Sequence, residues 1–565
     1  MAEDLLQPKE NNTLENIGCA YFDELVARSF FQPASTNRKL FIMHDLMRDL
    51  ATFFAGKFYF KLKEFGNRCM IDNKTRHLSY ATKFEDSIKL FREANNGAVH
   101  LRTFLDFTFL RHDQSIDIES DSWLLQQQLG CLRVLSFKHS SIELLSDSIG
   151  ELILLRYLNL SDTPIMTLSE SICNLYNLQT LKLRNCDELD MLPRRMEDLV
   201  NLRHLDIRGA SRLKEMPKGM SKLKHLNFLS DYIVGEYEEN GIRELETLDI
   251  LRGSFCISKL ENVKNSGEVL EAKMDGDIDD VQSERDILDK LQPHQNLKKL
   301  SIVGYRGETF PDWLGLSCYS NMTKLRLKRC KNCCELPSLG RLPFLRHLEF
   351  SDLDGLERID FEIHNKKNGS FQQKTPFESL ETLEITSMSG WREWHFPDEF
   401  DGFPKLRILS LKSCPVLRGD LPAHLPALEE LTIADCEELA CPLPRAPKLH
   451  QLLVDGSSTY FARVTYWSGD RISYYRHNIV ISGTQLANSV LEWLPHIQPP
   501  RVRRLRIMNC ESAISISGDY LPASKINILR ATATQVTNGD SCRGVWFTVV
   551  VSIGGPSKSQ GTRNQ

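Results

Sequence analysis

The chain has 565 residues, a formal net charge of −5, 41% hydrophobic residues and 26% charged residues. That length exceeds what one compact core usually holds, so several domains or an elongated repeat array are expected, with a globular rather than a disordered composition. The acidic balance argues against a general nucleic-acid binder, which needs a basic footprint.

The first thirty residues show no apolar leader, and no stretch reaches the roughly 18 apolar residues that span a bilayer, so no stable membrane insertion is expected. The fifteen cysteines are then expected as free thiols in the reducing cytoplasm. Leu14, Ile17, Tyr21 and Leu25 recur at helical spacing, which predicts a first helix. Lys39–Met43 reads as a short strand. A second helix comes next, with Leu46, Leu50, Phe53 and Phe54 on one side, Asp45 as its N-cap and Gly56 as its stop. Strand and helix arranged this way suit a winged-helix-like fold.

From Leu132 a different grammar takes over. LRVLSF starts at Leu132, LRYLNL at Leu155, LQTLKL at Leu178 and LRHLDI at Leu202, at intervals of 23, 23 and 24 residues. The frame returns at Leu297, Met322, Leu345, Leu380, Leu406, Leu428, Leu449 and Val502. An LxxLxL pattern at this period is the leucine-rich-repeat signature. The fold class expected is therefore α/β, a leucine-rich-repeat solenoid preceded by a partial, mainly helical winged-helix-like segment. The fourth and sixth residues of each unit point inward and the third and fifth outward. No unit buries its own leucines, so the units must stack. Twelve of them predict a parallel ribbon on the order of 55 Å long, from the strand spacing.

Cys186, Cys330, Cys414, Cys436 and Cys510 each lie eight positions after their unit's first residue. Cys330, Cys333 and Cys334 resemble half a zinc site, but Cys330 holds the repeat's own Asn/Cys position and no second ligand pair lies nearby. Packing, not metal, is expected there.

The phrases FDELVARSFFQ and FIMHDLMRDLA, followed by repeats of the form LPxxIxxLxxLQTLxLxxC, resemble plant intracellular NB-LRR immune receptors of the coiled-coil class. Gly241–Val263 and the later LQPHQNLKKLSIVGYRGETFPDWLG resemble them too, so the likeness runs from about residue 1 to about residue 528. Met43, His44 and Asp45 match the family's MHD motif. The resemblance implies that His44 contacts the β-phosphate of ADP, with Asp45 beside it in the cofactor-binding motif, when a nucleotide-binding half is present. The phosphate-binding pattern G-x-x-x-x-G-K-[ST] does not occur in this sequence, so no cofactor is expected in this chain itself, although the family uses ADP and ATP. Because Met1-Ala2-Glu3 resembles the interior of the family's pattern, the chain is expected to begin midway through a longer architecture. The expected organisation is 1–80, a partial winged-helix region; 81–130, a connecting segment; 131–528, the repeats, irregular at 230–296 and 456–500; and 529–565, a divergent tail.

Recognition is expected on the outward strand positions. Lys182, Arg184, His204 and Arg208 form one basic set, and Lys324, Arg326, Lys328 and His347 another. These fit an acidic patch on a protein partner or on a nucleotide-binding half. Trp391, Trp394 and His395, between two strands, either anchor a partner or close a loop. No catalytic motif appears, so a non-enzymatic role is expected. The family resemblance implies recognition of a pathogen effector or a guarded host protein; a free-standing repeat scaffold or decoy is the rival reading.

Overall fold

The computed structural model describes most residues between 2 and 455, apart from 8–13, 35–39, 63–71, 81–98, 107–128, 248–252, 263–284, 361–375, 396–402 and shorter gaps; beyond 455 it describes 478–482, 504–510 and 528–533. It divides into two compact units, Met1–Phe255 and Cys256–Gln565.

The first unit opens with helix α1 (Leu14–Ala27), whose Ile17 is buried. Strands β1 (Phe31–Pro33) and β2 (Phe41–Met43) pair antiparallel, Phe31 opposite Met43. Phe22 of α1 ties the helix to this hairpin, with ring centroids 5.5 Å from Phe31 and 4.9 Å from Phe41. Helix α2 (Asp45–Ala55) stops at Gly56, which has φ 48° and donates its N–H to the Thr52 carbonyl. The N-cap is not Asp45 but His44, whose Nδ1 accepts the Leu46 N–H at 3.3 Å. Asp45 falls one place inside the helix and pairs with Arg48, one turn on, at 2.8 Å. There it still favours the positive helix end. Leu46, Leu50, Phe53 and Phe54 are all exposed.

Eight parallel strands come next: β3 (Tyr59–Leu62), β4 (His77–Tyr80), β5 (Thr103–Asp106), β6 (Val134–Ser136), β7 (Tyr157–Asn159), β8 (Thr180–Lys182), β9 (His204–Asp206) and β10 (Phe228–Leu229). They pair in sequence order as one sheet. The parallel sheet thus starts at Tyr59, inside the segments expected as winged helix and connector, and residue 131 is not its beginning. These early strands keep an inward hydrophobe, Leu78 or Phe104, each at most 3% exposed. They lose the full LxxLxL because Thr75 and Phe104 replace two of the leucines.

Strands β11 (Asp231–Ile233) and β12 (Gly253–Ser258) lie in the stretch expected as irregular. The second unit continues with β13 (Leu297–Val303), β14 (Lys324–Lys328), β15 (His347–Ser351), β16 (Arg358–Asp360), β17 (Thr382–Thr386), β18 (Glu393–His395), β19 (Ile408–Lys412), β20 (Glu430–Ala434), β21 (Gln451–Asp455), β22 (Asn478–Ser482), β23 (Arg504–Cys510) and β24 (Ile528–Ala533). All pair parallel in one sheet except β16 and β18, which make a small sheet of their own. The parallel strands are divided between two long sheets, so the single twelve-repeat ribbon expected from the sequence is replaced by two. Strand β24 carries the pairing with β23 into the segment expected as a divergent tail. Residues 534–565 lie outside the described residues, as does most of the acidic stretch 271–292.

The stacking logic holds. Leu158, Leu160, Leu181, Leu183 and Leu205 of the first unit are fully buried, as are Leu325, Leu327, Leu383 and Ile385 of the second. Each such side chain contributes about 1.5–3 kcal/mol on burial. Cys186, Cys330, Cys333, Cys414 and Cys436 are buried free thiols. Their Sγ atoms donate to backbone carbonyls: Cys186 to Leu160 at 3.1 Å, Cys330 to Lys328 at 3.4 Å, Cys436 to Ala434 at 3.3 Å. Burial pushes the Cys333 thiol up to about 12.

One further position recurs. The residue seven places after each unit's first leucine has a positive φ: His139 68°, Asp162 60°, Asn185 56°, Arg329 55°, Asp352 56°, Ser387 55°, Ser413 52° and Asp435 51°, with Gly209 and Gly304 at 79° in the same place. Its N–H donates to a carbonyl of the next repeat: His139 to Ser161, Asp162 to Arg184, Asn185 to Arg208, Gly304 to Lys328, Arg329 to Ser351 and Ser413 to Ala434, all between 2.7 and 3.0 Å. The left-handed turn ends the strand and aims its amide along the stack. Backbone satisfaction, not side-chain identity, fixes this position.

Candidate interaction surface

In the first unit the expected basic set is only partly available. Lys182 on β8 is half-buried, with its Nζ 5.4 Å from the centre of the Tyr157 ring. Arg184 and Arg208 lie beyond the strand ends, in the turns, rather than on the strands as expected. Arg208 is already committed: its Nε and Nη2 donate to the buried Asp206 at 2.7 and 2.5 Å, and its guanidinium stands 5.8 Å from the Phe228 ring centre. Burial alone raises the Asp206 carboxyl, but the Arg208 hydrogen bonds and charge outweigh it and hold Asp206 below its usual range.

His204 on β9 meets the N-terminal segment. Its Nε2 is 3.7 Å from Oε1 of Glu15, the second residue of α1. The same oxygen accepts from Asn227 Nδ2 at 3.1 Å and lies 3.8 Å from Arg203. Burial pushes Glu15 up, but the Asn227 hydrogen bond and the charges of His204 and Arg203 prevail and hold it below the usual carboxylate range. Burial pushes His204 below the usual imidazole range, and the Glu15 charge offsets this only in part. Glu3 accepts from Thr103 Oγ1 at 2.5 Å, on β5. Carboxylates of the N-terminal segment thus touch the sheet at β5 and at β9.

Between those points runs a feature that the LxxLxL frame does not reveal. The residue immediately before each strand from β4 to β10 is Arg76, Arg102, Arg133, Arg156, Gln179, Arg203 and Asn227 in turn. Strand register places them side by side, since His77, Thr103, Val134, Tyr157, Thr180, His204 and Phe228 are mutual neighbours. Each carbonyl in the row accepts from the next strand's first residue, as Thr103 N–H to Arg76 and Tyr157 N–H to Arg133 at 3.0 Å. The row therefore repeats at about 4.8 Å, the strand separation. Aligning the repeats one place after the first leucine would have revealed it.

The second unit neutralises itself. Lys324 and Arg326 were expected as a free basic face with Lys328; Glu349 of the next strand instead lies 3.5 Å from Lys324 and 2.7 Å from Arg326. The cause is register, which places Arg326 directly opposite Glu349. Lys328 is half-buried. His347 is pushed below its usual range by burial and then by Lys324. The corresponding pre-strand row alternates in sign, and Arg346 pairs with Glu381 at 3.6 Å and Arg407 with Glu429 at 2.7 Å.

Trp391 and Trp394 are buried, 4.8 Å apart, with Trp391 Nε1 donating to the Glu393 carbonyl at 3.0 Å. Trp394 and His395 lie on β18, paired with β16, rather than in a loop between strands, and both indoles pack inside the repeat instead of presenting an exposed aromatic surface. His44 and Asp45 sit exposed at the start of α2. Among the described residues no helix is long and apolar enough to cross a membrane.

Comparison with known proteins places these features. The leucine-rich repeat region family matches residues 115–442, and the disease resistance protein winged helix domain matches residues 1–51. A disease resistance protein of Arabidopsis thaliana is 39% identical over 77% of this chain and 32% of its own length. RPP13-like protein 1 of the same plant, a disease resistance protein, is 36% identical over 77% of this chain and 44% of its own length. Disease resistance protein RGA2 of Solanum bulbocastanum is 30% identical over 77% and 43%. The chain thus spans less than half the length of each of these relatives.

Proposed function

The chain belongs to the leucine-rich-repeat disease resistance proteins of plants, and on that footing we propose that it is the recognition portion of an intracellular immune receptor. The observation that carries this is the joining, in one chain, of a disease-resistance winged-helix match at 1–51 to a repeat region at 115–442. The repeats supply a long polar strand face over a shared leucine core, a geometry suited to binding a macromolecule rather than to turning over a small one. Its partners are a pathogen effector or a guarded host protein, and a nucleotide-binding half that carries the ADP/ATP switch. Recognition acts by favouring one of two states of that contact, since a ligand moves an equilibrium only by its unequal affinity for the two states. The protein works in the cytoplasm and is not an enzyme. His44 and Asp45 serve nucleotide binding only when that half is docked.

Co-expression with a separately encoded nucleotide-binding half from a disease resistance protein tests this. The two are expected to co-purify as a stoichiometric complex. A chain that is folded, by circular dichroism, yet fails to associate with any such half would overturn the receptor reading.

A further inference from the structure

We propose that the outward face of β13, β14, β15 and β17 in the second unit docks a bipolar polypeptide segment of a partner, acidic over Lys299 and basic over Glu384. The inference rests on the reading of the repeats as the recognition surface and names the order of charge that recognition requires there.

Three observations carry it. The first is openness. In the first unit the outward strand residues Ser136, Asn159, Thr180 and Asp206 are buried, none more than 9% exposed. In the second, Lys299 is exposed, and Lys324, Glu349, Thr382 and Glu384 are only half-buried. The second is a charge left over at each end. Glu349 serves both Lys324 and Arg326. Among the described residues, the side chains of Lys299 and Glu384 have neither a hydrogen bond nor an ion pair. The third is register. Lys299 stands directly opposite Lys324, and Glu349 directly opposite Glu384. Like charges opposite one another on neighbouring strands destabilise a sheet. An acid laid over the first pair and a base over the second remove both costs. The field over the basic end is felt at His347: burial and then Lys324 push its imidazole below the usual range, Lys299 and Arg346 add to this, and Glu381 opposes.

The geometry sets the ligand. Three strand separations part β13 from β17, and Glu384 lies two residues further along its strand than the partner of Lys299 in register. At about 4.8 Å per strand and about 3.4 Å per residue, the two charges stand about 16 Å apart. An extended segment spans that distance with its acidic and basic side chains about five residues apart. A nucleic acid brings anions alone; it is attracted at Lys299 and repelled at Glu384. The order of charge therefore selects a polypeptide over RNA.

The experiment uses the full chain and fluorescent peptides followed by anisotropy. The bipolar probe is a run of glutamates, a Gly-Ser-Gly spacer and a run of lysines; the controls carry glutamates alone or lysines alone around the same spacer. Wild type is expected to bind the bipolar probe several-fold more tightly than either control, and less tightly as salt rises, because the contacts are exposed ion pairs. The variant K299Q/E384Q is expected to bind it about tenfold more weakly, the loss that two exposed contacts give together. Its urea midpoint is expected to hold or rise, since one member of each like-charge pair is gone. Unchanged affinity in the variant, or equal binding of the all-glutamate control to wild type, overturns the bipolar site. A lowered midpoint overturns the like-charge account. Displacement of the probe by decauridylate overturns the polypeptide assignment. The comparison of probe and controls needs no variant, so it tests the site even if the variant misfolds. Association with a nucleotide-binding half, measured on the same proteins, separates the two failures: no preference for the bipolar probe with association retained sinks the docking site alone.

Discussion

Asn185 shows how much a single residue in this fold does with its backbone. It holds φ 56°, donates its N–H to Arg208 at 2.7 Å and its Nδ2 to Asp162 at 2.7 Å. A β-branched residue there meets the left-handed penalty and loses the side-chain bond. Asn185→Val is expected to lower stability by about 2–3 kcal/mol, the sum of roughly 1–2 for the conformation and about 1 for the hydrogen bond. Asn185→Gly is expected to cost less than half of that, since it keeps the turn. Urea midpoints of the two variants check the ordering, and an equal loss would refute the conformational account. Arg329 stands in the same position at φ 55°; because Gly relieves its strain, Arg329→Gly is expected to leave the midpoint unchanged or raise it slightly. Sequence alone could have located this position, as Asn, Asp, Ser and Gly cluster seven places after the leucine. The His44 cap was not so legible, since Asp45 beside it is the commoner capping type and only the helix start separates them.

The strand is the element on which the fold depends, and Leu181 is the centre of one. It is fully buried, between Leu158 and Leu205 by register. Leu181→Asp is expected to bury an unpaired carboxylate and to open the local stack at a cost of several kcal/mol. Limited proteolysis should then cut near 170–190, and unchanged protease resistance would count against this placement. The LxxLxL frame made β6 to β9, β13 to β15, β17, β19 to β21 and β23 readable in advance, because their inward apolar positions are regular; β16 and β18 lie outside it. Strands β3, β4 and β5 escaped because tertiary pairing, not pattern, makes them strands. The quenching of Arg326 by Glu349 was within reach of the sequence, since both occupy the same place in successive repeats. The pairing of Glu15 with Asn227 was not, because 212 positions separate them and no periodicity links α1 to a repeat.

At the scale of the first unit, the N-terminal segment is tied to the sheet by titratable groups, so its attachment depends on pH. Glu15 is held below its ordinary 4.5 and His204 below its ordinary 6.5. For both groups the unfolded chain binds protons more readily than the folded one. Stability is therefore fully present above the higher ordinary value and falls with pH, first as His204 is forced to charge below about 6.5 and then as Glu15 is neutralised below about 4.5. Hydrogen exchange of the α1 amides is expected to accelerate across that range. Exchange that slows on acidification would reverse the assignment.

At eight of the ten left-handed turns the amide goes to a carbonyl of the next repeat, across side chains as different as His, Asp, Asn, Gly, Arg and Ser. Neighbouring repeats therefore meet through a coupling that is the same at every such junction, like standard fittings on interchangeable pipe. Whole repeats can be lost, gained or exchanged between gene copies without redesigning a seam, while the outward residues travel with them. Excision of 406–427, which brings Leu428 into the place of Leu406, is expected to give a folded, shortened chain, whereas removing half that length should not. In such a molecule the framework stays constant while the binding face is reshuffled, and inheritance can revise what is recognised faster than it revises how the protein folds.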